Sequence, residues 1–399
     1  MQVKKQIAII GGGPAALMLA CQLNPEKFNI CIYEKNTALG RKFLVAGKGG
    51  FNLTHSEPVE ELIKRYSPQS FLEKSVLNFT NTDLRNWLKE KGIETYIGTS
   101  KRIFPTEGIK PIEVLNVFEK ELKKKNVAVY TQHNFLGWNE NKDLLFETKT
   151  GNKSLKADII VFALGGGSWK VTGSDGGWLK LFTEKGIECA PFVSSNCAYK
   201  VDWKNSDKIP DGEALKNCSF SCNGITKKGE AVITKSGIEG GAVYALSKEI
   251  RESLEVEKKA ILYIDFKPDI ELPQLVQLLN NKEKTTVKEF LFTSLKLSVA
   301  KITLLKNITT REEYLNPVVM ARLIKAFPIV ITDLAQIDEA ISTVGGINLN
   351  EVNENFELKK LFHHFCIGEM LDWDAPTGGY LLQACFSMGC FLAKHLNSQ

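Results

Sequence analysis

QIAIIGGGPAALMLACQL, residues 6–23, is the stretch whose reading decides the fold. Gln6–Ile10 is a short apolar run that stops at Gly11-Gly12-Gly13-Pro14. Leu17, Ala20, Cys21 and Leu23 then recur at helical spacing. A second apolar run, Asn29–Tyr33, ends at Glu34. Strand, glycine turn, helix and strand together predict a βαβ unit. The pattern Gly11-x-Gly13-x-x-Ala16 meets three separate demands. Gly11 permits a tight turn out of the strand, Gly13 lets backbone approach a pyrophosphate, and Ala16 is small enough for the helix to pack on the strand. Pro14 suits a first helical turn, where a missing N–H loses nothing. Phosphates would sit on the helix N-terminus, against free N–H groups and the positive dipole end. Glu34, 23 residues after Gly11, is placed to accept the hydroxyls of an adenosine ribose. An acid there opposes a 2′-phosphate, so NADP is not expected at this site.

Outward from this unit, residues 40–56 are glycine-rich and irregular, and helices are predicted over about 59–65, 69–78, 82–91 and 111–125. Val127–Gln132 reads as a strand and 135–157 as a small antiparallel excursion with Gly151 in a turn. Ala157–Ala163 is a wholly apolar strand running into Leu164-Gly165-Gly166-Gly167. Between about 190 and 340 the character changes, first to short β-like runs among glycines, then, over 271–328, to text rich in Lys, Leu and Glu that reads as helical. Gly345-Gly346 opens a return to α/β text, with a short strand Phe365–Ile367 and a closing helix over about 379–396.

A simple NAD domain keeps its nucleotide in one half of the chain. Here a second glycine-bearing βα element, Gly368-Glu369 followed by Thr377-Gly378-Gly379-Tyr380, closes the sequence. A long cofactor with a second ring system accounts for two such contacts, which points to FAD. The expected fold is α/β: a split Rossmann-type FAD-binding domain, residues 1–190 and 341–399, with an inserted β-barrel plus helical subdomain over 191–340.

The chain resembles the bacterial FAD-binding flavoproteins of the BaiN/YhiN type, the aminoacetone-oxidase-like family. The matching stretches are GGGPAAL (11–17), YEK (33–35), GRKFLVAGKGGFNLTHSEP (40–58), RIFP (102–105), DIIVFALGGGSW (158–169), STVGGINLNEV (342–352) and GEMLDWDAPTGGYLLQA (368–384). They keep the family's order from end to end. The resemblance implies that Gly11, Gly13, Pro14 and Ala15 hold the pyrophosphate and Glu34 the ribose. It places Lys35, Arg41 and Lys42 near adenosine and phosphates, and wraps Gly47, Lys48, Gly49, Gly50 and Asn52 around the ribityl chain or ring. It sets Ala128 against adenine and Ala163, Leu164 and Gly165 against the adenosine–phosphate half. Glu369 stands where these folds carry an acid ending the last strand, and Gly379 and Tyr380 offer helix N–H groups to the flavin pyrimidine. AGKGGFN (46–52) and TKSGIEGG (234–241) depart from the commoner family pattern and place the chain in a side branch.

The net charge of +5 over 399 residues is small, and Lys123-Lys124-Lys125 is the one tight basic run, so nucleic acid is not expected as a partner. No run approaches the roughly 18 apolar residues of a membrane span, and the N-terminus lacks a signal-like apolar region. Nine cysteines, an odd number lying in apolar stretches, suit reduced thiols and a cytoplasmic setting. Cys218 and Cys222 are spaced CxxxC with no second pair or histidine close by, and no metal site is expected. No spacing names a catalytic acid or base. Lys48, His55, Arg102 and Tyr380 are candidates, with structural or phosphate-contact roles favoured over proton transfer. The expected activity is FAD-dependent oxidoreduction of a small molecule, either reduction of a C=C or C=N bond or oxidation of an amine. In the absence of a second dinucleotide fingerprint, NADH or NADPH would dock transiently as reductant. The alternatives are a flavoprotein acting on RNA and a non-enzymatic flavin sensor.

Overall fold

Five parallel strands form the central sheet, in the order His364–Cys366, Ile159–Phe162, Lys5–Ile10, Phe28–Glu34, Ala128–Thr131. A computed structural model gives this architecture and describes residues 3–45, 51–282 and 285–399. Ile7 lies opposite Ile30 and Ile159, and Ile9 opposite Ile32 and Val161. These side chains are buried: helix Pro14–Gln22 packs against Lys5–Ile10, and Phe135, Trp138 and Phe146 of a small antiparallel sheet contact Tyr33 and Phe162, so the middle of the sheet is apolar. The strand His364–Cys366, from near the far end of the chain, pairs with Ile159–Phe162 and so belongs to the same sheet as Lys5–Ile10.

The chain divides into two compact units, Met1–Val193 with Ile341–Gln399, and Ser194–Ala340. In the first unit, helix Pro14–Gln22 packs against the closing helix Tyr380–Ser398, whose buried residues include Ala384, Phe386, Met388, Leu392 and Leu396. A Cβ on Gly389 would stand 2.7 Å from the Ala15 carbonyl oxygen, so glycine is what lets these helices close. Two small antiparallel sheets flank this core. One is the expected excursion, Asn134–Trp138, Leu144–Thr148 and Gly151–Leu155. The other, Thr54–His55, Arg102–Pro105 and Thr95–Ile97, was not foreseen, since strands this short carry no periodicity to read.

The second unit is built on a closed barrel, in the order Tyr199–Val201, Gly237–Glu239, Ile225–Thr234, Glu213–Cys222, Ala260–Asp265, Phe327–Leu334. Phe220, Ile233, Leu262, Ile264, Phe327, Ile329 and Ile331 fill its interior. Two readings need correction. Helix Ser247–Glu257 interrupts the stretch that reads as β-rich. The helical run ends at Lys325, and Phe327–Leu334 is a strand, buried at alternate residues from Phe327 to Ile331. Pro328 sits on its solvent-facing side, and its flanking Ala326 and Phe327 break the helix, as proline requires.

Candidate functional site

The carboxyl ends of the central strands open onto a cavity of about 400 Å³ in the first unit. Ile10, Glu34, Ala163 and Ile367, from four strands or the residues just past them, line it. The crevice beyond the carboxyl ends is where open α/β sheets bind ligands. Gly11 takes φ +103, and a Cβ there would collide with the Ala163 carbonyl oxygen, so the tight turn demands glycine. Gly13 differs: a Cβ would meet no atom within 4 Å, because the position faces the cavity. Its backbone at φ −81 and ψ −178 begins helix Pro14–Gln22, and Pro14 occupies the first turn.

Glu34 is 8% exposed and lines the cavity. Its Oε2 accepts the Gly12 N–H (2.8 Å), and its Oε1 accepts the Asn36 backbone N–H (2.8 Å) and side-chain amide (2.6 Å). The carboxylate therefore fixes the glycine turn as well as lining the cavity, and with both sites of Oε1 taken, Oε2 keeps one acceptor site for a ligand hydroxyl. Arg41 donates to the Asn36 Oδ1 (3.0 Å). Lys35 pairs with Asp175 (2.9 Å). Burial pushes the Asp175 carboxyl up, but the Lys35 ammonium and the Gly177 N–H outweigh it and hold it below its ordinary value. Lys42 bridges the Ser168 hydroxyl (2.9 Å) and Glu369 (3.0 Å), and Glu369 also accepts the Thr343 N–H (3.2 Å).

Gly11, Gly13, Pro14, Ala15, Glu34, Lys35, Arg41, Lys42, Ala163, Leu164, Gly165 and Glu369 all line this one cavity. Ala128 does not; its strand ends at Thr131, and His133 to Leu136 beyond it form that wall. Asn52, Gly379 and Tyr380 are not among its lining residues either. Gly47, Lys48, Gly49 and Gly50 fall outside the described residues. Sequence reading missed the wall formed by Thr172, Gly173, Ser174, Asp175 and Trp178. Its signal was VTGSDGG (171–177), a loop composition that says nothing about where the loop lies. The Trp178 indole donates to the Gly165 carbonyl (3.1 Å) and the Ser174 hydroxyl to that of Gly166 (2.8 Å), which ties this loop to the segment that follows strand Ile159–Phe162.

The remaining candidates gather at the start of the closing helix. The Tyr380 hydroxyl donates to Glu57 Oε1 (2.8 Å), and Arg65 grips the same carboxylate with two bonds (3.0 and 2.8 Å). Burial raises the Glu57 carboxyl, yet these donors hold it below its ordinary value. The His55 ring stacks on Tyr380 (centroids 5.2 Å apart), and its Nδ1 accepts the Glu57 N–H (3.2 Å). Burial lowers its proton affinity despite the nearby Glu57 carboxylate, so the ring is a neutral spacer near pH 7. Tyr380 and His55 are thus committed to this buried cluster. Arg102 is cross-strand from His55, its Nε lies near Gly378, and among the described residues no carboxylate pairs with it. Cys218 and Cys222 are buried, free thiols on one strand, and among the described residues no group of His, Cys, Asp and Glu is placed to hold a metal ion. No described helix is long and apolar enough to cross a membrane.

The model of the HI0933-like protein Rossmann domain family matches residues 5–395. The chain belongs to that family. Curated relatives of this HI0933-like chain align over nearly their whole lengths. It is 25% identical over 407 residues to the 3-dehydro-bile acid delta(4,6)-reductase of Clostridium scindens, covering 96% of this chain and 97% of the relative. It is 22% identical to the ribosomal RNA dihydrouridine synthase of Haemophilus influenzae, covering 98% of each. Among solved structures, the 3-ketosteroid delta1-dehydrogenase from Sterolibacterium denitrificans, in complex with 1,4-androstadiene-3,17-dione, shares its fold at TM-score 0.51 and 12% identity, covering 99% of this chain and 100% of that one.

Proposed function

We propose that this chain is an FAD-dependent oxidoreductase that reduces an activated C=C bond of a small molecule. The observation that carries the reading is Gly13: its missing side chain leaves open space above a helix N-terminus, with Glu34 beside it. That cradle fits a pyrophosphate and the ribose attached to it. FAD, when bound, supplies the hydride chemistry. The protein's own residues bind and orient. Gly11 to Ala15 hold the phosphates, Glu34 and the His133–Leu136 wall hold the adenosine end, and Lys42 with Glu369 closes the cavity near the switch between the strands Lys5–Ile10 and Ile159–Phe162. The helix start at Gly378–Tyr380 offers backbone N–H groups to the pyrimidine end, and Arg102 adds a positive charge beside it. NADH or NADPH would serve as a transient reductant, and the C. scindens relative's name favours reduction of a small molecule.

Denatured protein is expected to release FAD and not FMN, because the Glu34 contact requires an adenosine ribose; chromatography of the released flavin checks this. Anaerobic mixing with NADH and NADPH, followed by candidate oxidants while flavin absorbance is recorded, tests the reaction. Flavin that neither nucleotide reduces, or that no oxidant reoxidises with turnover, would overturn the enzymatic reading. The dihydrouridine synthase relatives favour a second reading, a flavoprotein acting on RNA, which a dihydrouridine assay on RNA incubated with the reduced protein would reveal.

Glu34→Ala is expected to weaken FAD binding by about 1–3 kcal/mol, since the ribose loses a charged acceptor and the Gly12 N–H its partner. Titration of the apoprotein with FAD measures the change, and an unaltered dissociation constant would place the ribose elsewhere.

A further inference from the structure

The second unit contains another cavity, of about 600 Å³. It lies between the strands Glu213–Cys222 and Ile225–Thr234, the loop that follows Asp265, and the turn that begins helix Val299–Ile308. Five lysines line it, Lys216, Lys228, Lys267, Lys296 and Lys301, against two carboxylates, Glu230 and Asp269. A surplus of three positive charges in a concave wall focuses the field and draws anions in. Asp269 is 3.9 Å from Lys228, but both are exposed, so that pair neutralises little. Among the described residues, Lys216, Lys267 and Lys296 have no ion-pair partner.

Lys301 makes the case sharper. It is 5% exposed, and its ammonium donates to the backbone carbonyls of Lys216 (2.7 Å) and Phe266 (3.2 Å). Carbonyl dipoles satisfy its hydrogen bonds but supply no counter-charge, and a buried cation ordinarily has one. The backbone around it is bent to the same end. The ladder shifts register between Leu215 and Cys218, so that Lys216 and Asn217 bulge out of the strand. Bulges of this kind re-aim side chains. Asn217 at φ 53 and Lys296 at φ 51, on different walls, are both left-handed. For a lysine that conformation costs about 1–2 kcal/mol, and such strain gathers at ligand sites. Ser298 caps the ten-residue helix Val299–Ile308 and lines the cavity, so the positive end of that helix faces the same space.

We propose that this cavity binds a phosphorylated anion, with Lys216 and Lys296 contacting the phosphate and Lys301 as the buried charge behind it. The charge surplus matches a phosphomonoester or pyrophosphate better than a single carboxylate. The ligand chemistry is shared by a small phosphorylated molecule and by the phosphates of a nucleic acid. The site is independent of the flavin reading, and the test keeps the two apart. The full chain carrying its flavin is titrated with pyrophosphate by calorimetry, while flavin absorbance reports cofactor retention. Saturable, salt-sensitive binding is expected, with Lys216→Gln/Lys296→Gln raising the dissociation constant about tenfold or more. Lys216→Arg/Lys296→Arg, which keeps both charges, should stay within about threefold of the parent. Competition by a single-stranded RNA oligonucleotide assigns the phosphate to a nucleic acid; pyrophosphate binding that RNA leaves unaffected assigns it to a small molecule. Absence of saturable binding, or equal binding by the glutamine variant, overturns the proposal.

Discussion

A chain ended at residue 340 is expected to lose FAD binding completely. The missing segment carries the strand His364–Cys366, which pairs with Ile159–Phe162, and the helix Tyr380–Ser398. Eleven residues of that helix are buried, and without it the face of helix Pro14–Gln22 that packs against it is bare. Gln383 and Ser387, both fully buried, also satisfy the Phe79 carbonyl (3.0 and 2.6 Å), so the deletion strands a polar group beside the exposed apolar surface. Losses on this scale exceed the roughly 5–15 kcal/mol that stabilises a domain. Excising 194–340 is a milder change. Strands Cys189–Ser195 and Ser342–Ile347 pair with each other, so the two cut ends lie close enough for a short linker. Partial FAD binding should survive there. Flavin content of purified full-length, 1–340 and excised proteins, read from absorbance, decides it: a 1–340 fragment that folds and holds stoichiometric FAD would refute the split-domain account.

What the sequence made legible follows from how local each signal is. The βαβ unit at Lys5–Glu34 was readable because its apolar runs, its glycine turn and its helical spacing all lie within thirty residues and agree. The wholly apolar run ending in a glycine turn made the strand at Ile159–Phe162 readable as well. Contacts created by tertiary closure left no such mark. Asn36 clamps Glu34 because the chain turns back after the second strand, and Thr172–Trp178 reaches the cavity only because the indole of Trp178 anchors it to Gly165. Strand Phe327–Leu334 does alternate, yet it follows a helix-rich run and finds its partners at Tyr199–Val201 and Ala260–Asp265, far away in sequence. Tyr380 shows the limit most plainly. Its place at the helix start was readable, whereas the direction of its side chain depends on Glu57, more than three hundred residues earlier.

Two substitutions of neighbouring glycines should fail in opposite ways, and the contrast tests the cofactor site directly. Gly11→Ala forces a side chain into φ +103 and against the Ala163 carbonyl. Strain and overlap together should cost about 2–4 kcal/mol of stability, so the melting temperature falls with or without cofactor. Gly13→Ala meets neither obstacle. Its backbone lies in an extended region open to any residue, and the added methyl points into the cavity without touching the protein. Exchanging glycine for alanine at a helix cap costs less than about 1 kcal/mol, so the apoprotein should melt nearly where the parent does. The methyl would instead occupy the space left for the pyrophosphate. Crowding there by one methyl group is expected to cost about 1–3 kcal/mol of binding, a rise in the FAD dissociation constant of roughly ten- to hundredfold. Melting curves of both apoproteins and FAD titrations of both variants separate the effects. Parent-like FAD affinity in Gly13→Ala would show that no phosphate lies over Gly13, and the assignment of this turn to the cofactor would then fail even with the fold intact.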